Sequence, residues 1–128
     1  IGVSGAAHKD GAPLLLGPSR GMQHQLWRFE PLSGADHGYC RIRSINSSKC
    51  LAVTRQATGD GMPVVQWSCL ESDDQKWKLL DVGGSFVIQS RHSGKVLDAA
   101  RTFAGIFQPV VQWSQHGNIN QRWYLIKP

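Results

Sequence analysis

The 128-residue chain has no long apolar run: Leu14-Leu15-Leu16 is hemmed in by Pro13 and Gly17, far short of the roughly twenty apolar residues a membrane helix needs. No membrane insertion is expected. Ile1-Gly2-Val3 likewise lacks the basic and apolar regions of a secretory leader. Apolar residues do not recur at helical spacing over three turns anywhere, so no long amphipathic helix is encoded. Acids are few, 9 against 14 bases, and the net charge of +5 comes from scattered residues such as Arg41, Lys49, Arg55, Lys76, Arg91 and Lys95. Without a basic run or a recognition motif, nucleic acid is not an expected partner. His8, His24, His37, His92 and His116 lack metal-ligand spacing. Gly83-Gly84 reads as a turn rather than a phosphate loop, and the adjacent Asp73 and Asp74 point apart instead of facing each other as catalytic carboxylates do. No metal, cofactor or catalytic activity is expected. Cysteine is sparse and odd in number: Cys40, Cys50 and Cys69 allow at most one internal disulfide and leave one sulfur over.

What the chain does have is a repeat. Ile42 and Ile88, Leu51 and Leu97, Pro63 and Pro109, Trp67 and Trp113, Gln75 and Gln121, Trp77 and Trp123 are all separated by 46 positions. Val64-Val65-Gln66-Trp67 returns letter for letter as Val110-Val111-Gln112-Trp113. A third copy lies at the N-terminus, where Gln25-Leu26-Trp27 matches Gln75-Lys76-Trp77 at a shift of 50. That copy is degenerate. Gly17 takes the place of the second tryptophan, and nothing corresponds to Tyr39 through Cys50. The copies span about 1–38, 39–84 and 85–128 within a single domain covering 1–128.

Within a copy the signals are short strands, Tyr39 to Ile45, Leu51 to Val53, Pro63 to Ser68 and Trp77 to Leu80, separated by Asn, Ser, Gly and Asp clusters. Three copies of four strands without helices call for an all-β, closed architecture with three-fold pseudosymmetry, because an open sheet of this kind would leave long unpaired edges. The first copy lacks its opening strand, and completion of the barrel by a longer chain or by a strand from another protomer is expected. Asn46-Ser47-Ser48 also fits the acceptor pattern for N-glycosylation.

Three Gln-x-Trp motifs, in register with Val-Val-Gln-Trp and with Cys50-Leu51 or Val96-Leu97-Asp98 upstream, closely resemble the ricin B-type lectin family. The resemblance implies a β-trefoil. It also implies that Trp27, Trp77 and Trp123 are core residues and that Cys50 pairs with Cys69, with an oxidising, secreted or extracellular setting to follow. Cys40 aligns with Phe86, an apolar strand position, and is expected to be a buried, unreactive thiol rather than an intermolecular bridge.

A pyranose offers a face of C–H groups and a rim of hydroxyls, so its site wants an aromatic plane beneath and hydrogen-bonding groups around the edge. A carboxylate can accept from two adjacent hydroxyls at once. The third copy has Asp98, Trp113, His116, Asn120 and Gln121. On the family pattern Asp98 takes the paired hydroxyls, Trp113 stacks, Asn120 donates to a hydroxyl, His116 reaches in from the loop, and Gln121 supports the acid or the backbone. The second copy keeps Trp67 and Gln75 but has Ala52 at the place of Asp98 and Asp74 at the place of Asn120, so a weak or vestigial site is expected there. The first copy has Gly17, His24 and Gly2 at these places and is expected not to bind.

The resemblance thus implies a non-enzymatic lectin for galactose, lactose or N-acetylgalactosamine units of glycans and glycoproteins. Affinity in the millimolar range would call for an additional domain, chain or homo-oligomer to supply avidity. The alternative is a β-trefoil that binds protein, as a protease inhibitor or a toxin or assembly subunit does, or a polysaccharide-binding module of a glycoside hydrolase.

Overall fold

The computed structural model describes residues 1–17, 20–100 and 108–126. Among these residues ten strands form one sheet: β1 (Gly2–Val3), β2 (Leu14–Leu16), β3 (Trp27–Pro31), β4 (Cys40–Ser44), β5 (Cys50–Val53), β6 (Val64–Trp67), β7 (Trp77–Asp81), β8 (Phe86–Ser90), β9 (Val96–Ala99) and β10 (Gln108–Trp113). Short 3-10 turns connect them, and there is no α-helix among the described residues. Within each repeat the second and third strands make an antiparallel hairpin: β1 with β2, β5 with β6, and β9 with β10. Consecutive repeats join through β3 on β4 and β7 on β8, each a five-residue ladder. Alternation along β4 shows the pleat at work, with Cys40, Ile42 and Ser44 buried and Arg41 and Arg43 turned outward.

The third repeat's closing segment makes a single bridge, Trp123 to Phe86. The strand that would lie on its other side, the first repeat's counterpart of β4 and β8, is not among the described residues. An apolar trough of about 720 Å³ lies there, lined by Trp27, Phe29, Ile42, Ile88, Leu97 and Trp123. Elsewhere the core is built on Leu14, Val64, Trp77 and Val110. The three Gln-x-Trp indoles share one anchor: Trp27 donates to the Ile1 carbonyl at 2.9 Å, Trp77 to Leu51 at 3.0 Å and Trp123 to Leu97 at 3.2 Å. Each acceptor stands 26 residues ahead of its donor, which places the same contact in every repeat. A buried indole N–H needs such a partner.

Between repeats, the glutamine of Val-Val-Gln-Trp is the clasp. Gln66 Nε2 donates to the Ala7 and Lys9 carbonyls of the preceding repeat, both at 2.9 Å, and Gln112 Nε2 to Ala57 and Gly59 at 3.0 and 2.9 Å. Their Oε1 atoms accept from Ser47 and Ser93. Beside each clasp an acidic turn residue seizes the segment after the tryptophan: Asp10 accepts from the Ser68 N–H and hydroxyl, and Asp60 from those of Ser114. Lys49 and Lys95 pair with these acids at 2.9 and 3.3 Å.

Cys50 and Cys69 form a disulfide. Cys40 is free and buried, and burial pushes its thiol up to about 11. The Asn46 side chain donates to the Ala6 carbonyl at 3.2 Å, so the glycosylation motif has its amide nitrogen engaged within the protein. Gly83 and Gly84 both adopt positive φ and give their N–H groups to Asp81, which makes the turn between the second and third copies.

Two outcomes follow from these contacts. A thiol reagent at about pH 8 should leave native protein unlabelled and modify one sulfur, Cys40, once the non-reduced chain is unfolded, since the thiolate is the nucleophile. Labelling of native protein at the rate of a free thiol would show Cys40 to be accessible. The second outcome concerns acid. Lys49, then the Ser68 donors, hold Asp10 below the ordinary 3.8 against partial burial. For Asp60, partial burial pushes upward but is outweighed by the Ser114 donors and Lys95. Lowered folded-state values mean stability that is full above the ordinary carboxyl range and lost as pH falls through the lowered values. Melting temperatures of the parent and of a variant carrying Asp10→Asn and Asp60→Asn should therefore differ at neutral pH and converge in strong acid.

Candidate functional site

Asp98 sits on β9 opposite Val111 of β10, so it shares a sheet face with Val111 and, two residues along, with Trp113. Asp98 is only 4% exposed, and its carboxylate is held by two amides. Asn120 Nδ2 donates to Oδ1 at 3.0 Å and Gln121 Nε2 to Oδ2 at 2.9 Å. Both amides ride on the 3-10 turn Ile119–Gln121, which packs against β9. Each carboxylate oxygen keeps a lone pair, so the acid is positioned without being used up.

His116 completes this side. Its Nε2 lies 3.7 Å from Asp98 Oδ2, while its Nδ1 accepts the Asn118 N–H at 3.1 Å. An accepting Nδ1 leaves the proton of the neutral ring on Nε2, which lies beside the acid but too far from it for a hydrogen bond. The His116 backbone N–H donates to Gln121 Oε1 at 2.9 Å, and Gln121 Nε2 also holds the Ser114 carbonyl at 3.0 Å. Gln121 therefore ties the loop to the acid through both ends of one amide.

Asn120 is arranged differently from the hydroxyl-donor role that the family pattern implies. Its Nδ2 reaches the Ala99 carbonyl at 3.4 Å as well as Asp98, so both amide protons are directed into the protein. Oδ1 is buried with no partner. Flipping the amide would set oxygen against carboxylate, acceptor against acceptor, so Asp98 fixes this orientation. The amide atom left without a partner is an acceptor.

Trp113 is 42% exposed, unlike wholly buried Trp77. Its floor comes from the second repeat: a Cβ on Gly61 would lie 3.4 Å from the indole Cζ3, and Gly61 has φ +81°, a conformation that favours glycine. Asp60, next door, secures Ser114 just past the indole. Neither Asp60 nor Gly61 was picked out as a site residue from the sequence, although Asp10-Gly11 and Asp60-Gly61 recur at the repeat spacing, each two positions before a proline. The segment 101–107 lies outside the described residues.

The second repeat reproduces the layout with different groups. Ala52 stands opposite Val65 as Asp98 stands opposite Val111. Trp67 is also 42% exposed, with Gly11 beneath it. Asp74 and Gln75 lie on the 3-10 turn Asp73–Gln75 and line one cavity together with Ala52 and Trp67. In the first repeat Gly2 stands opposite Leu15, and Gly2, Gly17 and His24 border a smaller cavity without an indole or an acid. No group of three metal-ligating side chains occurs among the described residues.

The family described as ricin-type beta-trefoil lectin domain-like matches residues 2–105. The chain belongs to this family. A ricin B-like lectin domain is a carbohydrate-binding domain and in general not a catalytic one. A designed three-fold symmetric protein, ThreeFoil, is 34% identical and superposes with a TM-score of 0.93 over 100% of this chain and 90% of its own. An exo-beta-1,3-galactanase from Clostridium thermocellum is 30% identical with a TM-score of 0.88, covering 98% of this chain but 27% of the galactanase chain. The Rhizoctonia solani agglutinin shares the fold at 16% identity, with a TM-score of 0.85 over 99% of this chain and 85% of its own. No curated protein matches the sequence.

The amide cradle makes a stability prediction. Asp98→Ala leaves donors of Asn120 and Gln121 without an acceptor in a buried place and should cost about 1–3 kcal/mol. Denaturant unfolding of parent and variant measures this, and equal midpoints would show that the amides find other partners.

Proposed function

We propose that the chain binds galactose-type sugars through the third repeat. The observation that carries this reading is a buried carboxylate, Asp98, fixed by two amides on the face that also presents a half-exposed indole, Trp113. A sugar lying with its C–H face on Trp113 turns its hydroxyl rim toward the acid. Two adjacent hydroxyls then donate to the free lone pairs of Asp98, bonds strengthened by charge and by the low local dielectric. The buried Asn120 Oδ1 accepts from a further hydroxyl, and the His116 Nε2–H donates to a hydroxyl oxygen that the acid cannot serve. An axial hydroxyl, as in galactose, leaves a continuous C–H face for the indole, which favours galactose, lactose and N-acetylgalactosamine ends of glycans.

A shallow site of this kind binds one unit with about −4 kcal/mol, a millimolar dissociation constant. Useful retention on a glycan surface then comes from several sites acting together. The Cys50–Cys69 disulfide supports a secreted, oxidising setting. The likeness to a domain-sized part of a galactanase chain favours a second reading, a binding module that holds an enzyme on galactose-containing polysaccharide.

Titration with galactose or lactose should change the intrinsic tryptophan fluorescence with a saturable, millimolar midpoint. Trp113→Ala should abolish binding measured by calorimetry while leaving the fold intact, since this indole is largely outside the core. Undiminished binding in that variant, or no heat in the parent, would move the function away from the third repeat.

A further inference from the structure

Ser114 is where the second and third repeats meet behind the candidate site. Its N–H and hydroxyl donate to Asp60 Oδ1, in the second repeat, at 2.7 and 2.9 Å. Its carbonyl accepts from Gln121 Nε2 at 3.0 Å, and the same nitrogen donates to Asp98 Oδ2 at 2.9 Å. A continuous chain of polar contacts therefore runs from Asp60 through Ser114 and Gln121 to Asp98. Trp113 directly precedes Ser114, so this chain passes the root of the indole.

Trp113 is also the last residue of β10 and pairs with Val96, the first of β9. The end of a ladder is where pairing constrains a strand least. Here the turn of the second repeat supplies what the ladder does not. Gly61 donates its N–H to the Gln112 carbonyl at 2.8 Å, Gln112 donates its own to the Met62 carbonyl at 3.0 Å, and Asp60 takes Ser114 on the other side of the indole. The acid is supported differently, by Asn120 and Gln121 of its own repeat. Platform and acid thus have separate supports on this side, joined at Ser114. Asp60 makes all its contacts through Oδ1, including the pair with Lys95, so one oxygen carries the link to Ser114.

We propose that Asp60 is a positioning residue of the third-repeat site: through Ser114 and Gln121 it fixes the Trp113 platform against the Asp98 carboxylate. A bound sugar touches the indole and the acid together, and a recognition site loses affinity when its groups drift by a fraction of an ångström. Asp60 acts on the ligand only through this geometry. The proposal rests on the third-repeat reading for its ligand. The first junction carries the same device without an acid at its end. Asp10 holds Ser68, and Gln75 holds the Ser68 carbonyl, but Ala52 stands in the register position of Asp98.

Galactose titrations of the whole chain, followed at the Trp113 indole N–H by nitrogen–proton NMR, test this. Asp60→Ala should weaken galactose about tenfold, as expected for the loss of one well-placed polar contact. Asp60→Asn keeps an oxygen for Ser114 and gives up the charge; it should recover most of the affinity while still melting below the parent. Asp10→Ala removes the matching contacts at the first junction and should leave galactose binding unchanged. Asp60→Glu, which keeps the charge but moves the oxygen by one methylene, replaces Asp60→Ala if that variant does not fold, with the same loss expected. Parent-like affinity in Asp60→Ala or Asp60→Glu, or an equal loss in Asp10→Ala, overturns the proposal. A parent that does not respond to galactose sinks the third-repeat reading instead. The sugar-free spectra then decide the positioning: the Gln121 side-chain amide and the Trp113 indole should both shift in Asp60→Ala and stay in place in Asp10→Ala, and any other pattern overturns it.

Discussion

Gln66 and Gln112 are wholly buried amides at the places where one repeat meets the next, and the arrangement of both candidate sites depends on them. Each binds two carbonyls of the preceding repeat's turn and one hydroxyl of its own repeat, so no polar atom of the side chain is left to water. An apolar residue of similar size would strand two carbonyls inside the protein, at a cost of about 1–3 kcal/mol for each. The clasp fixes the turn, the turn carries Asp10-Gly11 or Asp60-Gly61, and those two residues set the height and tilt of the next indole. Fold and recognition are thus coupled through one side chain per junction.

Much of this was legible beforehand because the repeat is a physical statement about packing. Residues that recur at 46 positions without an insertion must meet the same surroundings in the second and third copies, and Trp77 and Trp123 do so down to the carbonyl that accepts their N–H. The Cys50–Cys69 disulfide was implied by the family resemblance and is formed. The place of Gly2 was also readable, since it stands in the register position of Ala52 and Asp98.

Other features depend on orientation, which residue types do not carry. Asparagine can donate or accept, and only the proximity of Asp98 decides that Asn120 gives its nitrogen to the acid and leaves its oxygen without a partner. Ala52 leaves the strand of the second repeat without an acid, while Asp74, on the 3-10 turn, lines the same cavity, a placement that residue types alone do not announce. Pairing of Asp10 with Lys49 and Ser68 crosses from one repeat to the next, a closeness that no local spacing announces. In each case the missing information is which neighbour claims a lone pair first.

The glycine floors have a consequence for how such a domain can change. Because the surface under Trp113 belongs to the second repeat, and that under Trp67 to the first, neither platform can be excised or transplanted as a self-contained cassette. A third repeat produced alone would keep its acid and amides yet lose the support that holds its aromatic plane level. Selection on one candidate pocket therefore acts on two stretches of the gene, and a drifting copy stays constrained for as long as its neighbour still leans on it.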